Sequence, residues 1–542
     1  MTAPPQLVIR GSVVVAADAG GLETAEAIGI ADGRVVLVGR WDEVRRAAGP
    51  NARVVDAGEA AVIPGLHDSH IHLVGLARAR RAVLLDDAED GADVAHRLAS
   101  AAAVAAPGGW ISGRGWNEAQ LAIGTAALQA AVGERPAFLS SHDGHSAWAS
   151  AAARHLAGIG SATHDPAGGR IERDEHGEPT GILRETALDL VAPHVTRLQG
   201  DALREPLEET LDELAALGLT GATEAGDYTD ENGMGGDALF GDSYSSLSGQ
   251  ASLVDGRLRL NLGIPADAIA AATERGMRTG MALPGRHTMR FGWAKEYADG
   301  ALGSGTAALV APRTCGDRDT GILRVSPDEL DVLLAASRRG GIAMAIHAIG
   351  DRAGREVLDA VARAGSRAAG VPSDRVEHAQ LLQPSDAPRF AALGITASIQ
   401  PIHAAADRDL VEACWGGRQD NAYAWRSLAD AGALLTAGSD APVESANPWT
   451  GIFAAVHRRL PTDARDDWRP AQALTAAEAL GAYTLGPARA IGVADEGHLR
   501  VGARADLAVL SISLETLLQA GEGLAGARSE MTIVEGREVS RA

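Results

Sequence analysis

Hydrophobic and polar positions alternate in different ways along this chain. In residues 1–62 the short apolar runs QLVIRGSVVVA, AEAIGIADGRVVLVGR and ARVVDAGEAAVIPG are broken by turn-forming residues, and Asp32-Gly33 has the chemistry of a two-residue hairpin loop. Residues 489–542 repeat this style in GHLRVGARADLAVLSI and EMTIVEGREV. Two β-rich ends around a long middle predict one small β-sandwich domain assembled from both termini.

Across residues 63–488, apolar runs of strand length alternate with segments of helical period, as in βα units around a parallel sheet. Eight runs qualify: AVIPGLHDSHIHL (61–73), GLTGATEAG (218–226), RLRLNLGI (257–264), MRFGWAKEYADG (289–300), GIAMAIHAIG (341–350), RVEHAQ (375–380), GITASIQP (394–401) and ALLTAGSDAPV (433–443). Between them, DALREPLEETLDELAALG places Leu203, Leu207, Leu211 and Leu214 on one helical face. SPDELDVLLAASRRGG opens with Ser326 as a cap, Pro327 at the first position and Glu329 completing a capping box. Eight βα units predict an α/β fold closed as a TIM (β/α)8 barrel. Residues 74–200 are too long for one βα connection, so they are expected to form an insertion with structure of its own. Such insertions lie over the C-terminal mouth of a barrel, and this one is expected to build part of the substrate chamber.

Composition narrows the partners. At 542 residues and 46% hydrophobic the chain is globular, and a formal charge of −22 argues against a phosphate-binding surface, so neither nucleic acid nor an anionic membrane is an expected partner. No run of 18 apolar residues occurs, and the first residues lack the pattern of an export signal. Cys315 and Cys414 form neither a C-x-x-C pair nor a disulfide framework, which fits a reducing compartment. A soluble, cytoplasmic protein acting on a small molecule is the expectation.

Of the 49 Lys and Arg residues, one is a lysine, Lys295, and 48 are arginines. A coding bias toward Arg replaces any lysine that arginine can serve for. The survivor therefore does something a guanidinium cannot, such as losing its proton to become a nucleophile. Other chemistry collects where barrel sites are assembled, at strand ends. His70 and His72 sit two apart on the first strand, hence on one face, where two imidazoles can chelate one ion. His347 closes the fifth strand run, His378 the sixth and Asp440 the eighth, with Lys295 on the fourth. His67, three before His70, falls on the opposite face and is not expected to be a ligand.

With those residues in place, the chain resembles the amidohydrolase superfamily, in the branch that includes N-substituted formamide deformylase. PGLHDSHIHL, GRGWNEAQL, DGHSAW, GEPTGILRE, YADGALGSGTAAL, HAIGDRA, RVEHAQ and GSDAPVE follow that branch's order over nearly the whole length. The resemblance implies metal ligation by His70, His72, His347, His378 and Asp440, with Lys295 N6-carboxylated to a carbamate that bridges two divalent ions. Some members of the superfamily hold one ion. The ion is expected to be Zn, though this donor set also suits Mn, Fe or Ni. Asp440 is the expected general base and acid. A homodimer is the family-level expectation.

Two departures matter. Glu296 beside Lys295 is a second potential oxygen ligand, and Gly305 stands where relatives often have Arg. For the substrate, His145 is the candidate to orient a carbonyl oxygen, with His142, Asp143 and Trp116 as further wall candidates, while Arg184 and Glu185 are read as a structural pair. The expected reaction is hydrolysis of a non-peptide, formamide-like carbon–nitrogen bond. Deaminases of the superfamily instead carry H-x-x-E on the fifth strand, where this chain has Gly350 three beyond His347. A decarboxylase or isomerase on the same barrel, and a non-catalytic scaffold barrel, are the remaining alternatives.

Overall fold

The computed structural model describes residues 4–105, 108–116, 125–141, 144–166, 168–195, 198–226, 240–316 and 318–542. Eight parallel strands form the central sheet in chain order: β1 (Leu66–Ile71), β2 (Leu219–Glu224), β3 (Arg259–Pro265), β4 (Met289–Tyr297), β5 (Met344–Ala348), β6 (Arg375–His378), β7 (Thr396–Ile399) and β8 (Leu434–Ala437). Each begins inside one of the eight runs read from the sequence, and β3 alone passes the end of its run, by Pro265. Most of their residues are buried on both faces, as in a parallel sheet covered by helices. The ends of the sheet meet past β8, where the Asp440 amide donates to the His70 carbonyl at 2.7 Å and the His72 amide to the Ala441 carbonyl at 2.8 Å.

The helices follow their patterns. Leu203, Leu207, Leu211 and Leu214 of helix Asp201–Ala216 are buried together. Helix Pro327–Gly340 begins with the capping box of Ser326 and Glu329.

Both termini contribute to a seven-stranded sheet in which Leu7–Asp18 lies between Arg53–Pro64 and Gly21–Ala31, and Leu507–Ser513 continues it through Ser529–Val534 to Arg537–Arg541. Ile9, Ile28, Val35, Leu507 and Ile533 share one apolar cluster. Asp32 and Gly33 make the hairpin turn with φ of 50° and 74°. This sheet meets the barrel at the N-terminal ends of the strands. There Arg259 pairs with Asp506 and with Glu535 at 3.2 Å, and Arg290 with Glu496 at 2.9 Å. The opposite end is left open for chemistry.

The insertion builds a six-stranded sheet, ordered Gly169–Arg173, Pro179–Glu185, Ser146–Ala149, Ala137–Ser141, Ile111–Trp116 and Val83–Leu84. It has apolar clusters of its own, one around Val94, Leu98, Trp116 and Trp148 and another around Ile171, Leu183 and Val191.

The cysteines correct the sequence reading. Cys315 and Cys414 are joined in a disulfide across a sequence separation of 99, because the segment after β4 and the helix Arg408–Cys414 after β7 meet at the barrel mouth. Spacing along the chain carries no sign of this, and a bonded pair gives no ground for expecting a reducing compartment. Among the described residues no helix is long and apolar enough to cross a membrane.

Candidate metal centre and active site

His70 is the penultimate residue of β1 and His72 follows its end, Lys295 lies in β4, His347 is penultimate in β5, His378 ends β6, and Asp440 lies just past β8. All six line one cavity of about 1280 Å³ at the C-terminal ends of the strands. Asp440 Oδ1 lies 3.3 Å from His70 Nε2 and 3.2 Å from His72 Nε2. The His378 ring is 5.0 Å from that of His70 and 4.5 Å from that of His347, centroid to centroid. Ligand atoms of His70, His378 and Asp440 lie within 4.8 Å of one another.

The electrostatics suit a cation. His70 Nε2 and His378 Nδ1 are buried without a hydrogen-bond partner among the described residues, a costly state that an ion relieves. Burial first, and then the neighbouring His145 and Lys295, hold His347 well below the usual imidazole range. Burial and His347 do the same for His378. Burial alone would raise the Asp440 carboxyl, but His70, His403 and His72 outweigh it and keep it well below its ordinary value. The His347 and His378 imidazoles, whose neutral forms burial favours, stand with an ionised Asp440 carboxylate in a donor set suited to a divalent metal. His347 Nε2 faces the Gly300 carbonyl at 3.0 Å and must donate to it, which leaves Nδ1 as its donor atom for an ion. His378, Ala379 and Asp440 have φ of 71°, 44° and 60°, left-handed values that non-glycine residues hold only under constraint.

A family model described as the amidohydrolase family matches residues 53–540. The chain belongs to the amidohydrolase family. It is similar to Protein LONG AFTER FAR-RED 3 of Arabidopsis thaliana, 31% identical over 518 residues that cover 93% of this chain and 87% of the relative. It is also similar to N-substituted formamide deformylase of Arthrobacter pascens, 29% identical over 520 residues covering 90% of each. Among solved structures, an uncharacterized metal-dependent hydrolase of Pyrococcus horikoshii OT3 matches with a TM-score of 0.74 at 24% identity, covering 95% of this chain and 99% of that one. At that identity the likeness speaks for the fold.

In this member of the amidohydrolase family Lys295 is 3% exposed, with Nζ 4.8 Å from the centre of the Tyr297 ring. Burial lowers its pKa against the opposing pull of Glu377 and Asp440, favouring the neutral amine. Strand alternation sends Glu296 the other way, and it lines a separate groove with Val325, Asp328 and Glu329. The expectation of Glu296 as a second oxygen ligand is therefore corrected, since it does not line the cavity that holds Lys295.

Two residues at the site escape a reading by spacing. Glu377, one before His378, accepts from His70 Nδ1 at 2.6 Å and pairs with Arg375 Nε at 2.8 Å. Burial would raise its carboxyl, yet Arg375 and His70 depress it far below the usual range. Alternation would send Glu377 and His378 to opposite faces, and the left-handed φ at His378 turns its ring back over the mouth. An acid inside a four-residue buried strand was the available signal. His403, on the helix after β7, places Nε2 3.4 Å from Asp440 Oδ2.

The insertion closes over this centre. His145 lines the cavity with its ring 5.3 Å from that of His347. Asp143 and His142 lie outside the described residues. Trp116 is both a core residue and a cavity wall: it is 1% exposed, donates from Nε1 to the Leu139 carbonyl at 2.6 Å, and touches the cavity with one edge. Arg184 and Glu185 do not pair with each other, which corrects the reading of ILRE. As consecutive strand residues they face opposite ways, Arg184 to Glu172 at 2.7 Å and Glu185 to His145 at 2.9 Å. His67 stays out of the centre, with Nε2 2.9 Å from Thr223 Oγ1. At Gly305, in the left-handed region at φ 68°, a Cβ would overlap the Arg313 guanidinium, so an arginine from farther along the chain fills that space. A Cβ on Gly350 would overlap the Ala308 carbonyl oxygen, so no acidic side chain fits where a deaminase carries one.

Proposed function

We propose that the protein is a metal-dependent hydrolase that cleaves the carbon–nitrogen bond of a small, non-peptide, formamide-like amide. The observation that carries this reading is the pair of buried nitrogens, His70 Nε2 and His378 Nδ1, that have no hydrogen-bond partner among the described residues and lie beside the Asp440 carboxylate, which is held well below its ordinary pKa. His70, His72, His347, His378 and Asp440 would hold one or two divalent ions, Zn by choice, with Lys295 joining them as its N6-carbamate. Such an ion supplies Lewis acidity toward a carbonyl and makes water a better acid near neutral pH.

The chain does the rest. Asp440 accepts a proton from the attacking water and delivers it to the departing nitrogen, since an amine leaves readily only when protonated. His145 orients the substrate carbonyl. Trp110, Trp116, Phe138, Leu188 and Leu302, which line the cavity, shield the reacting atoms from bulk water and accommodate an apolar group on nitrogen. The similarity to N-substituted formamide deformylase supports the choice of bond.

Metal analysis of the purified protein together with hydrolysis of a panel of N-alkyl and N-aryl formamides tests the reading. Bound divalent metal and amine release that chelation abolishes are expected. A metal-free protein that hydrolyses none of the panel would favour the non-catalytic barrel. With one lysine in the chain, 13C-bicarbonate labelling should give a single carbamate signal in the metal-loaded protein, absent in Lys295→Arg. A labelled protein with no such signal would rule out the carbamate.

A further inference from the structure

Glu185 carries more than the end of a surface strand needs. It closes the insertion strand Pro179–Glu185, its side chain is 0% exposed, and its backbone has φ of 52°. Its carboxylate gathers His145 Nδ1 at 2.9 Å, Arg324 at 3.2 Å, Ser304 Oγ at 3.3 Å and the Thr306 hydroxyl. Its amide also donates to the His145 carbonyl at 3.0 Å, so His145 is held through both backbone and ring. On the barrel side the carboxylate packs against Gly300, where a Cβ would overlap it, and the Gly300 carbonyl is the one that accepts from His347.

A buried carboxylate on a strained backbone is a poor adhesive between two sheets, since apolar residues would join them without a desolvation cost. It is, however, a good device for aiming an imidazole. A carboxylate only accepts, so Nδ1 of His145 must carry the proton it faces, which fixes the orientation of the ring. The remaining partners of Glu185 keep it from following the ring. We propose that Glu185 is a positioning residue that fixes the His145 ring over His347, so that the insertion supplies the substrate-orienting group of the barrel's active site. This rests on the hydrolase reading above.

A double-mutant cycle between Glu185→Leu and His145→Phe tests it on whichever formamide is turned over. Glu185→Leu should lower kcat by about 10- to 100-fold, a typical loss on removing a group that orients a functional histidine, and His145→Phe, which removes the ring itself, by at least as much. The double variant should be within about twofold of His145→Phe alone, and Glu185→Gln, which keeps an acceptor, should lose less than Glu185→Leu. Losses that multiply in the double variant would overturn the proposal in favour of a purely structural role. A second readout needs no turnover: in 15N-histidine spectra of the metal-loaded protein, the His145 signals, assigned by their loss in His145→Phe, should show Nδ1 protonated. That single form should give way to a tautomer mixture in Glu185→Leu, or in Glu185→Gln if the leucine variant does not fold. Spectra unchanged in both variants would refute the proposal. A wild-type protein inactive on every formamide would instead count against the hydrolase reading and leave the spectra to decide the role of Glu185.

Discussion

Replacing Glu377 by Gln separates two roles that one carboxylate combines. Its Oε2 accepts from His70 Nδ1 at 2.6 Å, which directs Nε2 toward Asp440 Oδ1 at 3.3 Å, while Oε1 neutralises the buried Arg375 at 2.8 Å. Removing the charge weakens the orientation and basicity of His70, and outer partners of this kind are worth about 10- to 100-fold in metal affinity. That is about 1.4–2.7 kcal/mol. The same change leaves a buried guanidinium uncompensated, which typically costs 3–5 kcal/mol. Arg375 keeps the Ser69 carbonyl at 2.6 Å and Ser398 Oγ at 2.7 Å, so the lower end, roughly 3 kcal/mol, is expected. Titration with Zn against a chromophoric chelator at pH 7 reads the first quantity, and denaturant unfolding of the metal-stripped protein reads the second. Arg375→Met combined with Glu377→Gln should recover most of the stability and none of the metal affinity. A Glu377→Gln protein that binds Zn within threefold of wild type, or a double variant that regains affinity, would refute the orienting role.

Three further outcomes are expected. Burial lowers His67 from 6.5 to about 3, against the pull of Glu496 and with help from Arg375, Arg290 and Arg259. The unfolded chain binds a proton below pH 6.5 that the fold refuses, so this contribution is complete above pH 6.5 and is lost as pH falls toward 3. Between pH 7.5 and 4.5, His67→Gln should therefore lose roughly 2–3 kcal/mol less stability than wild type in denaturant melts, and parallel losses would contradict the assignment. Cys315→Ser opens a crosslink spanning 99 residues and should cost about 2–5 kcal/mol, with no further effect of reductant on the variant; a midpoint equal to wild type would argue against the disulfide. Gly350→Ala drives a methyl group into the Ala308 carbonyl and should destabilise by more than about 2 kcal/mol, while a variant melting with wild type would show that the loop yields.

The residues that spacing made legible are those whose placement depends on local period. An H-x-H on a strand puts both rings on one side, a capping box marks its own helix start, and eight apolar runs between helical segments leave little choice but a closed parallel barrel. His70, His72, Lys295, His347, His378 and Asp440 could thus be named together, because the C-terminal ends of neighbouring parallel strands must face a common mouth. Only the closed tertiary structure decided which other groups reach them. Glu377 meets His70 across 307 positions, His403 approaches Asp440 from the next helix, Glu185 aims His145 from an insertion, and Cys414 returns to Cys315 over the mouth. Glu296, adjacent to Lys295, is turned away by the same pleat that turns that lysine into the cavity. The physical reason is common to all of these. Periodicity along the chain sets the face a side chain occupies, whereas its partners on that face depend on how distant segments close, which no local spacing encodes.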